Sequence, residues 1–186
     1  MPIEFEAKVL DVGDHVWAFE PATLAEAIVD VGGQRMRSAL MRRFVYDIEA
    51  GDGSRWIRLR DDGSAVTVTV KEIEPDGIDG TTETEVVVGN FEPANELFRR
   101  MGFEAKSYQE NRRESFELAG ARLEIDWWPL IPPYLEIEGD SRQHVVEVAE
   151  LLGIPEDRLT GENTVKVYAR YGIDLWSIRD LRFPRA

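Results

Sequence analysis

Strict alternation of apolar and charged positions is the dominant pattern along this chain. In IEFEAKV, residues 3–9, Ile3, Phe5, Ala7 and Val9 fall on one side of a strand and Glu4, Glu6 and Lys8 on the other. The same division predicts further strands over 42–48, 55–60, 64–73, 82–88, 106–118, 121–128 and 134–139. Tight turns separate several of them, at 51–53 (GDG), 61–63 (DDG) and 118–121 (LAGA), so their neighbours pair antiparallel. Helical patterns lie near 22–30, 92–101, 142–152 and 173–182. Pro93 suits a first helical turn, and Ser141 is a cap for RQHVVEVAELLG, which ends at Gly153. About eight strands and four helices make an α+β protein with a largely antiparallel sheet.

The faces divide alike in strand after strand. Trp56, Arg58 and Arg60 oppose Ile57 and Leu59; Thr67, Thr69 and Lys71 oppose Val66, Val68 and Val70. Glu83 and Glu85 share a side, as do Arg113, Ser115 and Glu117, then Arg122, Glu124 and Asp126, then Tyr134, Glu136 and Glu138. An ordinary sheet with its charged faces in water is one way to satisfy this pattern. Against it, the polar faces hold Glu, Asp and Arg instead of the usual mixture, and acids recur as i, i+2 pairs at Glu4/Glu6, Glu83/Glu85 and Glu136/Glu138. The other way is a sheet closed on itself, charged face inward, with amphipathic helices over its apolar outside. Buried charges then have to be paired or ligated. Paired acids suit hard divalent cations, and Arg and Lys suit phosphate oxygens. Both together suit a metal-chelated polyphosphate. Like charges in one such cavity also predict raised carboxyl pKa values among Glu4, Glu6, Glu136 and Glu138.

Composition narrows the field. The 186 residues are 43% hydrophobic, which predicts one well-cored domain over 1–186. Net charge is −14, which argues against nucleic-acid binding and against docking on an anionic membrane. Among 22 basic residues only four are Lys, and two of those, Lys8 and Lys71, sit on charged strand faces. With no cysteine there is neither a disulfide framework nor a thiolate site. The opening MPIEFEAK resembles no export or transit signal, and no apolar run reaches membrane-spanning length, so a cytoplasmic location is expected. His15 and His144 read as surface residues, lacking a spaced partner. Trp127 and Trp128, before a Pro-rich loop, read as packing at a rim.

Glu4-Phe5-Glu6-Ala7-Lys8 resembles the ExExK signature that opens the CYTH superfamily, the triphosphate tunnel metalloenzymes. Later segments follow in that family's order: RFVYD (43–47), WIRLR (56–60), VTVK (68–71), TETE (82–85), RRESF (112–116), LEID (123–126) and PPYLEIEG (132–139). The resemblance covers nearly the whole chain. It implies a closed eight-stranded antiparallel β-tunnel with a charged lumen, flanked by helices. It further implies a triphosphate hydrolase that needs Mg2+ or Mn2+ and acts on inorganic tripolyphosphate, thiamine triphosphate or a nucleoside triphosphate. On this resemblance Glu4, Glu6, Asp126, Glu136 and Glu138 hold metal, assisted by Glu83 and Glu85. Lys8, Arg58, Arg60, Lys71, Arg113 and, through the looser match of TVKVY (164–168), Lys166 grip the triphosphate. Glu6, Lys8 and Glu138 stand nearest the chemistry. Asn111 departs from the pattern, standing where the family offers a Lys two residues before its Arg.

Two other functions fit the same lumen. One is a class IV adenylate cyclase, which makes cyclic AMP and pyrophosphate from ATP with a ribose oxygen as nucleophile. The other is a non-catalytic polyphosphate-binding module. The partner in each case is a small-molecule triphosphate, and the chain is expected to be a monomer or homodimer. Arg122 and Glu124 are open to two roles, pairing with each other across the lumen or touching ligand.

Overall fold

Eight strands make the frame: β1 (Ile3–Val9), β2 (Gln34–Asp47), β3 (Arg55–Asp61), β4 (Val66–Ile73), β5 (Thr81–Val88), β6 (Ser107–Leu118), β7 (Ala121–Trp127) and β8 (Tyr134–Gly139). The structure is a computed structural model, and it describes residues 3–10, 21–73 and 81–185. Following hydrogen-bonded neighbours, the sheet runs β6-β2-β3-β4-β5-β1-β8-β7, and β7 pairs again with β6. The circuit therefore closes, and every junction in it is antiparallel. Its thinnest seam is β1–β5, joined through Ile3↔Thr82 and Glu4↔Thr81. Two short strands are added: β9 (Leu159–Thr160) on β1, and β10 (Asp180–Leu181), parallel to the start of β6.

Turn chemistry sets the register. At the β3–β4 turn the Asp62 carboxylate accepts the backbone N–H groups of Ser64 and Ala65, at 2.8 and 2.9 Å, and Gly63 takes a φ of +84°. The β6–β7 hairpin has a two-residue loop, Ala119 and Gly120, with φ of +52° and +85°. Two successive positive φ values suit the twist of the strands they join.

Closure turns the apolar faces outward, where helices cover them. Helices α1 (Pro21–Asp30) and α3 (Arg142–Leu151) lie over one half of the barrel. There Leu24, Ile28, Val145 and Val148 pack with Ala7, Phe116, Leu123, Ile125, Leu135 and Ile137. Helix α2 (Phe91–Arg100) covers the other half, where Phe91 and Phe98 meet Tyr46, Ile57 and Leu59. Ser141 caps α3 as expected, its hydroxyl accepting the His144 N–H at 3.1 Å. At Gly139 an added Cβ would stand 3.1 Å from His144 Nδ1, so glycine lets α3 lie close to the end of β8 without a shift of that ring.

Two elements differ from expectation. Strand β2 begins at Gln34, well before residue 42, with a register shift between Arg35 and Arg37. Met36 and Leu40 are more than half exposed in this first part. It has no buried apolar face to announce it, and pairing with β6 carries it. The last helix is α4 (Thr164–Arg170), in place of 173–182. Asn163 starts it by accepting the Lys166 N–H at 3.1 Å. In the later stretch Asp174 accepts the Trp176 N–H at 3.0 Å and shapes a 3-10 turn at Leu175–Ser177, and β10 follows. The apolar residues that suggested a helix, Leu175 and Leu181, pack instead with Trp128 and Tyr168.

Candidate functional site

Because the apolar positions face out, the alternate positions must face in. They line a cavity of about 360 Å³, within the range of small-molecule sites. Glu6, Lys8, Arg58, Arg60, Lys71, Glu83, Glu85, Arg113, Glu136 and Glu138 all contribute to its wall. A second cavity of about 510 Å³ shares Arg60, Arg113 and Arg122 with the first, so the lumen opens in two directions.

The strands β1, β8, β7 and β6 form an acidic seam. Lys8, 2% exposed, donates to Glu6 Oε1 at 2.9 Å and reaches Glu136 Oε2, its register partner, at 3.1 Å. Burial alone would lower the Lys8 pKa, but Glu136 and Glu6 raise it overall. Arg113 clasps Asp126 with two prongs, at 2.8 and 2.5 Å. It also reaches Glu136 Oε1 at 3.2 Å and pairs with Glu124. Burial works against the Glu136 charge, yet Lys8 and Arg113 outweigh it and hold the carboxyl well below the usual range. Mutual repulsion does not raise this pKa as expected, because cations alternate with the acids along the seam. Glu6 faces Glu138 directly across the β1–β8 ladder, and Glu138 takes Arg122 Nη1 at 3.2 Å. Arg122 and Glu124 therefore do not pair with each other; each is drawn to a stronger neighbour.

The strands β3 and β4 form a basic wall, answered by β5. Arg58 donates to Thr69 Oγ1 and Glu83 Oε2, both at 3.3 Å, and Arg60 lies 3.5 Å from Glu85 Oε2. Lys71 pairs with Glu83, its register partner, and Thr69 donates to Glu85 at 2.6 Å. Glu83 and Glu85 thus stand against the basic residues. Burial, then the proximity of Arg58, pushes the Arg60 pKa down to about 10.

Other assigned residues stand elsewhere. Asp126 shares the inward face of β7, opposite Arg113, but is fully buried and taken up by Arg113 and by Asn111 Nδ2 at 3.0 Å, so it does not line the cavity. Lys166 is exposed on α4 and does not line the cavity, because the segment is a helix whose inner side carries Val167 and Tyr168. His144 uses both ring nitrogens on the outside of the barrel, with the Ala119 carbonyl at 3.0 Å and the Asp140 N–H at 3.2 Å. His15 lies outside the described residues, and of Glu4 only the backbone position is described. Trp128 packs at the rim edge-on to Tyr168, whereas Trp127 packs against the outer core.

Among the described residues no three acidic or imidazole groups form a ready-made metal cluster. The donor chemistry nonetheless fits a hard cation. Glu6 and Glu138 are like charges set face to face, a destabilising arrangement that a divalent ion offsets. Glu136, one inward position along β8, adds a third carboxylate to the same wall.

The pattern of charged faces missed several lining residues. Arg43 and Gln109 face each other across β2 and β6, and Trp176 and Leu175 join Trp56, already on the charged face of β3, at one mouth. Arg43 was legible as an alternate position of β2; the mouth was not, because its residues come from distant parts of the chain.

The CYTH domain family matches residues 47–161 of the chain. No curated protein matches it. Among solved structures, a conserved hypothetical protein from Pyrococcus furiosus superposes with a TM-score of 0.72 at 21% identity, over 88% of this chain and 98% of that one. A candidate adenylate cyclase from Vibrio parahaemolyticus superposes with a TM-score of 0.70 at 15% identity, over 90% and 98%. A candidate adenylyl cyclase from Hippeastrum with a dominant triphosphatase activity gives 0.57 at 16% identity, over 92% and 96%. At these identities the likeness is one of fold.

Proposed function

The chain belongs to the CYTH family, and on that premise we propose that it is a divalent-metal-dependent hydrolase of triphosphate substrates. Inorganic tripolyphosphate, thiamine triphosphate and nucleoside triphosphates are the substrate class. The observation that carries this reading is the opposition, inside one cavity, of Arg58, Arg60 and Lys71 to Glu6, Glu136 and Glu138. Phosphoryl transfer asks a protein chiefly for positioning and charge neutralisation, and this lumen offers both.

Arg58, Arg60, Lys71 and Arg113 bind the phosphate oxygens and orient the chain of phosphates along the lumen. Glu6, Glu136 and Glu138 would hold Mg2+ or Mn2+, which would supply positive charge to offset that of the phosphate oxygens. Water attacks the terminal phosphorus, the P–O bond to the neighbouring phosphate breaks, and the diphosphate, free or still carrying thiamine or nucleoside, leaves with the bonding electrons. The water proton passes to Glu138, which is 28% exposed at its side chain against 21% for Glu6 and so the more open to water. Lys8 keeps Glu6 and Glu136 in place and faces charge developing on the oxygens. At −14 net charge the protein repels a bare polyanion, which favours a metal-complexed substrate.

A second reading, the adenylate cyclase, draws support from the aromatic mouth formed by Trp56 and Trp176, which can hold an organic head group. Incubation with ATP, tripolyphosphate and thiamine triphosphate, each with Mg2+ or Mn2+, separates the readings. Orthophosphate release supports the hydrolase, and cyclic AMP with pyrophosphate supports the cyclase. Binding with neither product makes the protein a polyphosphate-binding module and overturns both.

A further inference from the structure

Inside the lumen, Lys8, Arg58, Arg60, Lys71 and Arg113 each stand beside a carboxylate. Arg43 does not. It is 9% exposed, and its polar partner is the side-chain carbonyl of Asn111, which accepts from Arg43 Nη2. Its guanidinium lies 4.6 Å from the centre of the Trp128 ring, and among the described residues its buried Nε has no hydrogen-bond partner. Across the ladder its register partner is Arg60, another cation.

This placement is costly. Burial, followed by the charges of Arg58, Arg60 and Arg113, pushes the Arg43 pKa down to about 9. Asp126 offsets this only in part, since Asn111 stands between them and accepts from one while donating to the other. The inward positions on either side along β2 are Met41 and Val45, both buried, so an apolar side chain fits this stretch of wall. A cation kept among cations, held flat by an indole and an amide, is arranged to meet an anion.

We propose that Arg43 is a substrate-binding residue, forming with Arg60 a paired guanidinium grip on one phosphoryl group, while Asn111 and Trp128 set its plane. This rests on the triphosphate reading of the lumen and adds to it. Asn111 then has a stated role: it neither repels Arg43 nor neutralises it, and so leaves the charge for the ligand.

The test is calorimetric titration of the full chain with tripolyphosphate, in EDTA and again with Mg2+, at several NaCl concentrations, for wild type, Arg43→Gln, Arg43→Lys and, on α2, Arg100→Gln, with affinities compared in whichever condition the wild type binds. Arg43→Gln should weaken binding roughly ten- to a hundredfold, as for a charge-assisted contact, with a shallower salt dependence. Arg43→Lys keeps the charge but loses the fork and the stacking, and should weaken binding about three- to tenfold. Arg100→Gln, 74% exposed, should bind as wild type does. Affinity within twofold of wild type for Arg43→Gln overturns the proposal, as does an equal loss in Arg100→Gln, which would mark a net-charge effect. If Arg43→Gln does not fold, Arg43→Lys decides on the same twofold criterion. A wild-type protein that binds no tripolyphosphate, with or without Mg2+, overturns the proposed function as well; binding left unchanged by Arg43 substitution overturns only this inference.

Discussion

The acidic seam of β1, β8, β7 and β6 and the basic wall of β2, β3 and β4 are built from the same kinds of residue in opposite proportion. In the seam, Lys8 and Arg113 are the minority, and each is shared among two or more carboxylates. Against the wall, Glu83 and Glu85 of β5 are the minority, and each is shared between two cations. The seam therefore presents surplus negative oxygen to the lumen, and the wall surplus guanidinium and ammonium. Neither side could be buried as it stands without the minority charges that hold it. On the proposed function, the difference divides two binding tasks between two sides of one barrel, with the divalent cation at the seam and phosphate oxygens chiefly at the wall.

The largest effect should come from breaking the seam at Glu138, the proposed proton acceptor. Glu138→Gln should lower kcat on the preferred triphosphate by about 10²–10⁴, the usual worth of a general base, with a much smaller change in KM. Rate constants under saturating Mg2+ check this; a KM effect alone would move Glu138 into the binding set. Next in size is the wall. Arg58→Ala or Arg60→Ala should each cost about 2–3 kcal/mol of triphosphate binding, read as a raised KM or Kd. The fold should survive, since removing inward positive charge relieves repulsion among Arg43, Arg58 and Arg60.

A smaller effect sharpens the contrast through stability. Glu136 is the carboxylate shared by Lys8 and Arg113, so Glu136→Gln should destabilise the protein by about 2 kcal/mol near pH 7. The Glu136 pKa is lowered in the folded state, so its contribution is present above its ordinary 4.5 and is lost as pH falls from there towards the folded value. Urea midpoints from pH 7 to pH 3 should converge for wild type and Glu136→Gln as the acid range is entered. A gap that stays constant down to pH 3 would show that the charge of Glu136 is not what stabilises the seam.

Much of this was legible in the sequence because alternation is a local signal. Which residues face the lumen followed from Glu6/Lys8, Arg58/Arg60 and Glu136/Glu138 once closure was assumed, and the CYTH-like order of segments supported closure. What was not legible depends on neighbours across the barrel. The lowered pKa of Glu136 needs Lys8 from β1 and Arg113 from β6, more than a hundred and about twenty residues away in sequence. The capture of the Asp126 carboxylate needs Asn111 and Arg113 together. The first part of β2 escaped notice because Met36 and Leu40 point to solvent, and the last helix was misplaced because apolar spacing in 173–182 serves an irregular segment over Trp128.

The division of labour between seam and wall is tested most directly by a double dissociation in thermal shifts. Melting temperatures of wild type, Glu6→Gln and Arg60→Ala should be measured alone, with Mn2+, and with tripolyphosphate in EDTA, since a ligand that prefers the folded state raises them. Glu6→Gln should lose most of the Mn2+ shift and keep the tripolyphosphate shift, and Arg60→Ala should do the reverse. Wild-type responses to both ligands in both variants, or joint loss of both responses in each, would contradict separate metal and phosphate sides.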